Sequence, residues 1–224
     1  MTNLGSVPIE KKWGLGDRGG LGIILAELQT NKKRKLGRDN TSTFVIRNRE
    51  ALAKIWDAPA PHKAKVCAWR ILRSRLPTCD NLWKRKVKLN EEEMMCNACF
   101  HSPESIDHVF LACPKTGLVW DEVQKWLGSS SVRPRHISSH FEMFTKLGRG
   151  KNCDKFLEAM WMCITWVLWK QRNASRFDGK AWNIKGTLME IKARSWSWFK
   201  EFKTLEKDFD FCNWCSFDLL PKLL

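Results

Sequence analysis

Tyrosine is absent from all 224 residues, so a Tyr-x-Asp-Asp motif cannot occur. Acidic residues are scarce beside basic ones: 24 Asp and Glu against 39 Lys and Arg leave a formal charge of +15. A surplus of that size argues for polyanionic partners, nucleic acid first and an anionic membrane surface second, and says nothing about fold. Long apolar runs are also missing. The longest, Ala159–Trp169, falls short of the roughly 20 residues that a membrane-spanning helix needs, and Lys155, Glu158 and Lys170 crowd it. It reads as a buried helix, and no membrane partner is expected. The N-terminus lacks an apolar core of signal-peptide length, and nine cysteines cannot pair off as they do in a secreted scaffold. An intracellular, reducing setting, nucleus or cytoplasm, is the expectation.

Core material is ample. Apolar residues make up 43% of the chain and include 13 Trp and 12 Phe, which excludes disorder throughout and fits one moderate domain or two small ones. Within this background Cys96, Cys99, His108 and Cys113 stand in the order C-x2-C-x8-H-x4-C. Three thiols and one imidazole fill the tetrahedral sphere of Zn²⁺ and leave no position for a substrate, so one structural zinc is the expected cofactor. So short a segment cannot fold on burial alone, and metal binding, on the order of 10 kcal/mol, doubles as folding energy. His101 is a rival ligand. It follows Cys99 by two residues, where reaching the same ion is awkward, and His108 is preferred. Glu104 and Asp107 are candidates to orient the imidazole, with solvent exposure the expected state of both. Lys115 and backbone N–H groups are expected to offset the single negative charge of the loaded site. Cys212 and Cys215 form a second C-x2-C pair, but the gap to His136 and His140 crosses two helices, and no second site is expected.

Charge gathers just before the cysteines. Between Phe44 and Asn90 stand 12 basic residues against 3 acids. From His62 to about Leu76 the spacing is helical: Ala64, Ala68, Trp69, Ile71, Leu72 and Leu76 share one arc, with Lys63, Arg70 and Arg73 opposite. Upstream, the two prolines of Ile55–Pro61 predict an extended approach. Downstream, Pro77 ends the helix, and Thr78–Asp80 cap a second one through Arg85. Lys63, Arg70, Arg73, Arg75, Lys84, Arg85, Lys86 and Lys88 are the candidate nucleic-acid contacts, able to follow a phosphate backbone without reading sequence. Glu91–Glu93 interrupts this surface. Phe100, Phe110 and Trp120 are candidates to stack on bases, but they read as core around the metal.

Elsewhere, residues 1–42 read as a loosely ordered basic leader with Lys32–Lys35 as a solvated run, and Thr43–Ile46 as a short strand. Thr116–Leu127 is amphipathic, burying Val119, Trp120, Val123, Trp126 and Leu127. Residues 129–140, small and proline-containing, read as a linker. After Phe141–Leu147 comes the apolar helix of Lys155–Arg172. Its expected cover is a helix with Ile184, Leu188, Ile191, Ser195, Trp198 and Phe202 on one stripe, which makes an αα-hairpin. The tail, 206–224, is uninformative.

Several of these segments together resemble a known family. Pro61–Lys65, Trp69–Leu72, Leu76–Thr78, Leu82, Cys96-x2-Cys99, Glu104, His108–Pro114 and Val119–Trp120 are similar to the zinc-binding domain of plant non-LTR, LINE-like retrotransposon reverse transcriptases. Trp161–Asn173, ending Trp169-Lys-Gln-Arg-Asn173, resembles the segment that trails it. Ala60, His62 and Cys67 depart from the family pattern. The resemblance implies a module beyond the polymerase of a polyprotein, nucleic-acid-binding and sometimes followed by a ribonuclease H domain, with Cys96, Cys99, His108 and Cys113 as ligands.

The expected fold is therefore mainly α with little β: a small zinc knuckle between helices, 43–128, then a linker, 129–140, and a Trp-rich helical region, 141–205. The expected function is a non-catalytic, zinc-stabilised fragment of a retroelement polyprotein, binding RNA or DNA with low selectivity beside polymerase or ribonuclease H domains. No paired polymerase aspartates, ribonuclease H cluster or small-molecule substrate is expected. The alternative is a zinc-stabilised scaffold whose Trp-rich half binds a protein partner.

Overall fold

The computed structural model describes residues 52–147, 151–202 and 210–216. The chain divides into two compact units, 1–46 and 47–224, and every described residue belongs to the second. The leader and the Thr43–Ile46 strand lie outside the described residues.

The fold is helical, as expected. Outside the helices, the isolated bridge between Met95 and Pro103 is the one strand-like pairing among the described residues. Residues 52–57 are helical, with Ala58 N–H donating to Lys54 O at 3.1 Å. The extended approach expected from Ile55 is therefore replaced by a helical turn and then a bend over 58–60, where Ala60 N–H donates to Ala58 O at 2.9 Å. Pro59 constrains itself and the residue before it, and the turn upstream needs no hydrogen bond from its nitrogen.

Helix α1, His62–Leu72, buries Ala64, Cys67, Ala68, Trp69 and Ile71, close to the expected arc. It stops short of Leu76. Ser74 takes a left-handed φ of 51° and Arg75 N–H reaches back to Arg70 O at 2.7 Å, so the helix is closed before Pro77 can act. Helix α2, Cys79–Lys84, follows, but the Thr78 hydroxyl makes no cap bond and donates to Asp80 Oδ1 at 2.5 Å instead. Asn81 Nδ2 donates to Ser74 O and Leu76 O, both at 2.9 Å, and fixes the α1–α2 corner. Helix α3, Glu91–Met94, is one exposed acidic turn, begun by a capping box between Asn90 and Glu93.

Helix α4, Pro114–Leu127, buries all five expected apolar residues and ends at Gly128, whose φ of 67° suits a residue without Cβ. Helix α5, Ile137–Phe144, starts inside the interval read as linker. Ile137, His140, Phe141 and Phe144 repeat at i, i+3, i+4 and i+7, and all four are buried. Ser138 and Ser139 masked that period in the sequence.

Helix α6, Lys151–Phe177, is longer than expected and lies against both α1 and α7. Its stretch Ala159–Ile164 is fully buried. Helix α7, Ile184–Glu201, completes the hairpin: the Phe156 and Phe199 rings stack at 4.6 Å, and Lys170 Nζ meets Glu190 Oε1 at 2.9 Å. Its stripe holds at Ile191, Ser195 and Trp198, while Thr187 and Phe199 are buried in place of Ile184 and Phe202. Helix α8, Phe211–Cys215, lies in the tail that looked uninformative. Trp214 is fully buried there, accepting from Trp126 Nε1 at 2.7 Å and donating from its own Nε1 to Lys192 O at 3.0 Å.

Candidate metal centre and basic surface

The ligand spacing explains an unusual turn. Residues i and i+5 of a regular α-helix point about 140° apart at about 100° per residue, so H-x4-C cannot converge from one. His108–Ala112 forms a widened π turn, in which Cys113 N–H donates to His108 O at 2.8 Å. An i to i+5 closure brings His108 and Cys113 to the same side. Cys113 is then the N-cap of α4, with Pro114 at its first position. The other two ligands come from a tight loop in which Phe100 N–H donates to Cys96 O at 2.8 Å and Cys96 N–H to Ser102 O at 2.9 Å.

The four donor atoms of Cys96, Cys99, His108 and Cys113 all lie within 4.8 Å of one another. Cys96 Sγ is 4.0 Å from Cys113 Sγ, and Cys99 Sγ is 3.3 Å from His108 Nε2. Tetrahedral zinc with bonds of about 2.3 Å to sulfur and 2.0 Å to nitrogen calls for roughly 3.8 Å between sulfurs and roughly 3.5 Å from sulfur to nitrogen. The residues fit the ion, which when bound would supply structural cross-linking. Water is largely excluded: the three thiols are buried and His108 is 9% exposed. The Cys96 thiol and the backbone N–H groups of Thr116 and Lys115 together outweigh burial and hold Cys113 below the usual thiol range. The N–H groups at the start of α4 thus help favour a thiolate at Cys113, whereas the pairing with Cys113 and burial push the Cys96 thiol up to about 12. Cys96 accepts from the N–H groups of Cys99 and Ala98. Of the offset expected from Lys115, the contribution of its backbone N–H, to Cys113, is observed, while its side chain is exposed.

His101 is not part of the cluster. It is exposed, and its Nδ1 is paired with Cys99 O. Asp107 caps α5, accepting from Ile137 N–H at 2.8 Å and meeting His136 Nδ1 at 3.0 Å. Glu104 overturns its expected exposure. It is fully buried, accepts from Arg172 Nε at 2.9 Å and from Cys79 N–H at 3.2 Å, and forms a second contact with Arg172 Nη2. Burial alone would raise this carboxyl, but the Arg172 guanidinium, helped by Arg176, holds it below the ordinary range. Arg176 also reaches Met95 O at 3.4 Å, Asn97 Oδ1 at 3.3 Å and the Glu93 carbonyl. Helix α6 thus grips the loop that carries Cys96. Sequence reasoning missed these two arginines as clamps, although Arg172 stands in the Trp169–Asn173 run. His140 is buried against Trp120 and accepts from Trp161 Nε1 at 3.1 Å, and among the described residues no metal-type cluster includes it, His136, Cys212 or Cys215.

Of the basic candidates, Lys63, Arg73, Arg75, Lys84, Arg85, Lys86 and Lys88 are exposed and Arg70 is half-buried. Lys63 and Arg70 stand two turns apart on α1, about 10 Å along its axis. The ends of α1 and α2 meet where Arg85 Nη2 donates to Arg75 O at 3.2 Å. Arg75 lies over the Trp69 ring at 5.8 Å, and Lys84 pairs with Asp80 at 3.3 Å. Phe110 and Trp120 are fully buried, as read, whereas Phe100 is 69% exposed at a φ of 57°. The unforeseen aromatic is Trp83, 57% exposed.

Residues 39–120 match a family model described as zinc-binding in reverse transcriptase, and all four ligands fall inside the match. The description names zinc binding, in agreement with the ligand set that the matched region carries. Comparison with curated proteins and with solved structures gives no match. The Cys96, Cys99, His108 and Cys113 cluster is suited to one zinc ion. No described helix is long and apolar enough to cross a membrane.

Proposed function

We propose that the chain is the non-catalytic, zinc-stabilised nucleic-acid-binding module of a reverse transcriptase polyprotein from a plant LINE-like retroelement. In this reading it meets RNA or DNA in the nucleus or cytoplasm, beside polymerase or ribonuclease H domains of the same polyprotein. The observation that carries the reading is the junction of α1 and α2. Arg85 bonds to the backbone of Arg75, which joins two exposed runs of cations, Arg73–Arg75 and Lys84–Lys88, with half-buried Arg70 one turn before the first. Contacts of this kind neutralise phosphates and carry no sequence information. The zinc site holds the surface in place without touching the ligand. The tryptophans of the second half support this reading over the scaffold, since Trp161, Trp169 and Trp198 lie within the chain's own core.

Titration of zinc-loaded protein with RNA and DNA oligonucleotides at several salt concentrations tests it. The logarithm of affinity falls with the logarithm of salt at about 0.7 to 0.9 per phosphate neutralised. A steep line that becomes shallower in the Lys84→Ala/Arg85→Ala/Lys86→Ala variant is expected. A flat line, or no binding at low salt, would sink the proposal.

A further inference from the structure

The chain has thirteen tryptophans. Apart from Trp13, all lie within the described residues, and of these Trp83 alone is exposed, at 57%. The other described tryptophans are buried or half-buried, so an indole left this far in water, at the cost of apolar burial, stands apart from them. Trp83 lies in the last turn of α2, one residue before its end at Lys84, with Leu82 and Asn81 buried beside it and Arg85 and Lys86 following the helix. The chain then folds back: Lys86 takes a left-handed φ of 66° and donates its N–H to Trp83 O at 2.9 Å. This turn keeps Lys84, Arg85 and Lys86 around the indole's own backbone. The Asn81 bonds to Ser74 O and Leu76 O, at 2.9 Å, and the Arg85 bond to Arg75 O, at 3.2 Å, tie it to the cations at the end of α1.

A duplex hides its base faces, so an indole among phosphate-binding cations adds little to duplex affinity. A single strand offers both its phosphates and its unpaired rings, and stacking on an aromatic side chain discriminates little between bases. We propose that the α1–α2 surface is a single-strand site, with Trp83 as the platform on which one unpaired base stacks while Arg73, Lys84 and Lys86 take the neighbouring phosphates. This inference rests on the nucleic-acid reading above and sharpens it: the ligand is single-stranded RNA or DNA, and the selectivity is for strandedness.

The test uses the full zinc-loaded chain with Trp83→Ala and Trp83→Phe variants. Each is titrated at several salt concentrations with oligo(U), oligo(dT), a duplex of equal length and polyglutamate. Circular dichroism and zinc content of the variants are expected to match the parent, because the side chain is largely solvated. Trp83→Ala is expected to weaken both single strands about tenfold or more, within the 5- to 150-fold range of one lost stack, and to leave duplex, polyglutamate and the salt slope unchanged. Trp83→Phe is expected to restore most of the affinity. A larger loss on oligo(U) than on oligo(dT), or the reverse, identifies the preferred strand. Equal losses on single strand and duplex, equal losses on polyglutamate, or no loss at all would overturn the stacking site while leaving nucleic-acid binding standing. A parent that binds none of the nucleic acids would overturn both.

Discussion

Arg172, near the end of the long helix α6, closes on Glu104, between the second cysteine and the histidine of the metal cluster, and neither side chain reaches water: their exposures are 4% and 0%. The pair makes the metal loop and the Trp-rich helices parts of one packed body. Arg176 adds to the grip by bonding to the carbonyls of Glu93 and Met95, just before Cys96.

Breaking that pair strands a charge. Glu104→Gln leaves Arg172 buried without its counter-ion, and removing one partner of a buried pair typically costs about 3–5 kcal/mol. Denaturant unfolding of the zinc-loaded protein is expected to show a loss of that order. Glu104→Leu combined with Arg172→Met should recover most of it, because both charges leave together. A single-variant loss below about 1 kcal/mol would mean the contact contributes only packing.

Zinc content checks the ligand set independently. One zinc per chain is expected in the purified protein and in His101→Ala, and none in Cys113→Ser. Chelation is expected to reduce helicity beyond the loop itself, because Arg176 holds α6 to backbone carbonyls that the metal keeps in place. An unchanged zinc stoichiometry in Cys113→Ser refutes the assignment.

Acid should weaken the core through His140. Burial, with a smaller contribution from Arg133, lowers its pKa from 6.5 to about 4. Between those values the unfolded chain binds a proton that the folded chain refuses. Stability is therefore full above pH 6.5 and falls as the pH drops toward 4, by about 3 kcal/mol at 1.36 kcal/mol per pKa unit. His140→Gln keeps an acceptor for Trp161 Nε1 and removes the titration. Its unfolding midpoint is expected to fall less than the parent's between pH 7 and pH 5, and parallel curves would assign the acid limb to other groups.

Trp214 is expected to be the anchor of the C-terminal segment. Its indole packs against Trp126, Phe156, Trp196 and Phe199, with ring centroids 5.3–5.9 Å away. Trp214→Ala should cost about 3–5 kcal/mol, as large-to-small changes of buried aromatics do. Trp83→Ala, at a largely solvated position, should cost under about 1 kcal/mol. Similar losses at the two sites would mean that burial does not set the difference.

The sequence alone determined what depends on ligand chemistry and local period. Three cysteines and one histidine at fixed intervals specify a closed zinc site whatever surrounds them, because few other side chains bind that ion. The inward faces of α1 and α4 followed from a 3.6-residue repeat, which a helix imposes wherever it packs. What the sequence left open depended on partners far along the chain. Nothing near Glu104 reveals that its counter-ion is Arg172, 68 residues away, so a buried clamp read as a solvated acid. Trp214 looked like part of a mixed tail because its partners lie on α4, α6 and α7, which only packing brings together. Trp83 presented the reverse case: nothing in its own segment sets it apart from the buried tryptophans, and only the packed α1–α2 corner leaves it 57% exposed. Local chemistry wrote the metal centre into the sequence, whereas burial, a property of the whole packed chain, was decided by the tertiary structure.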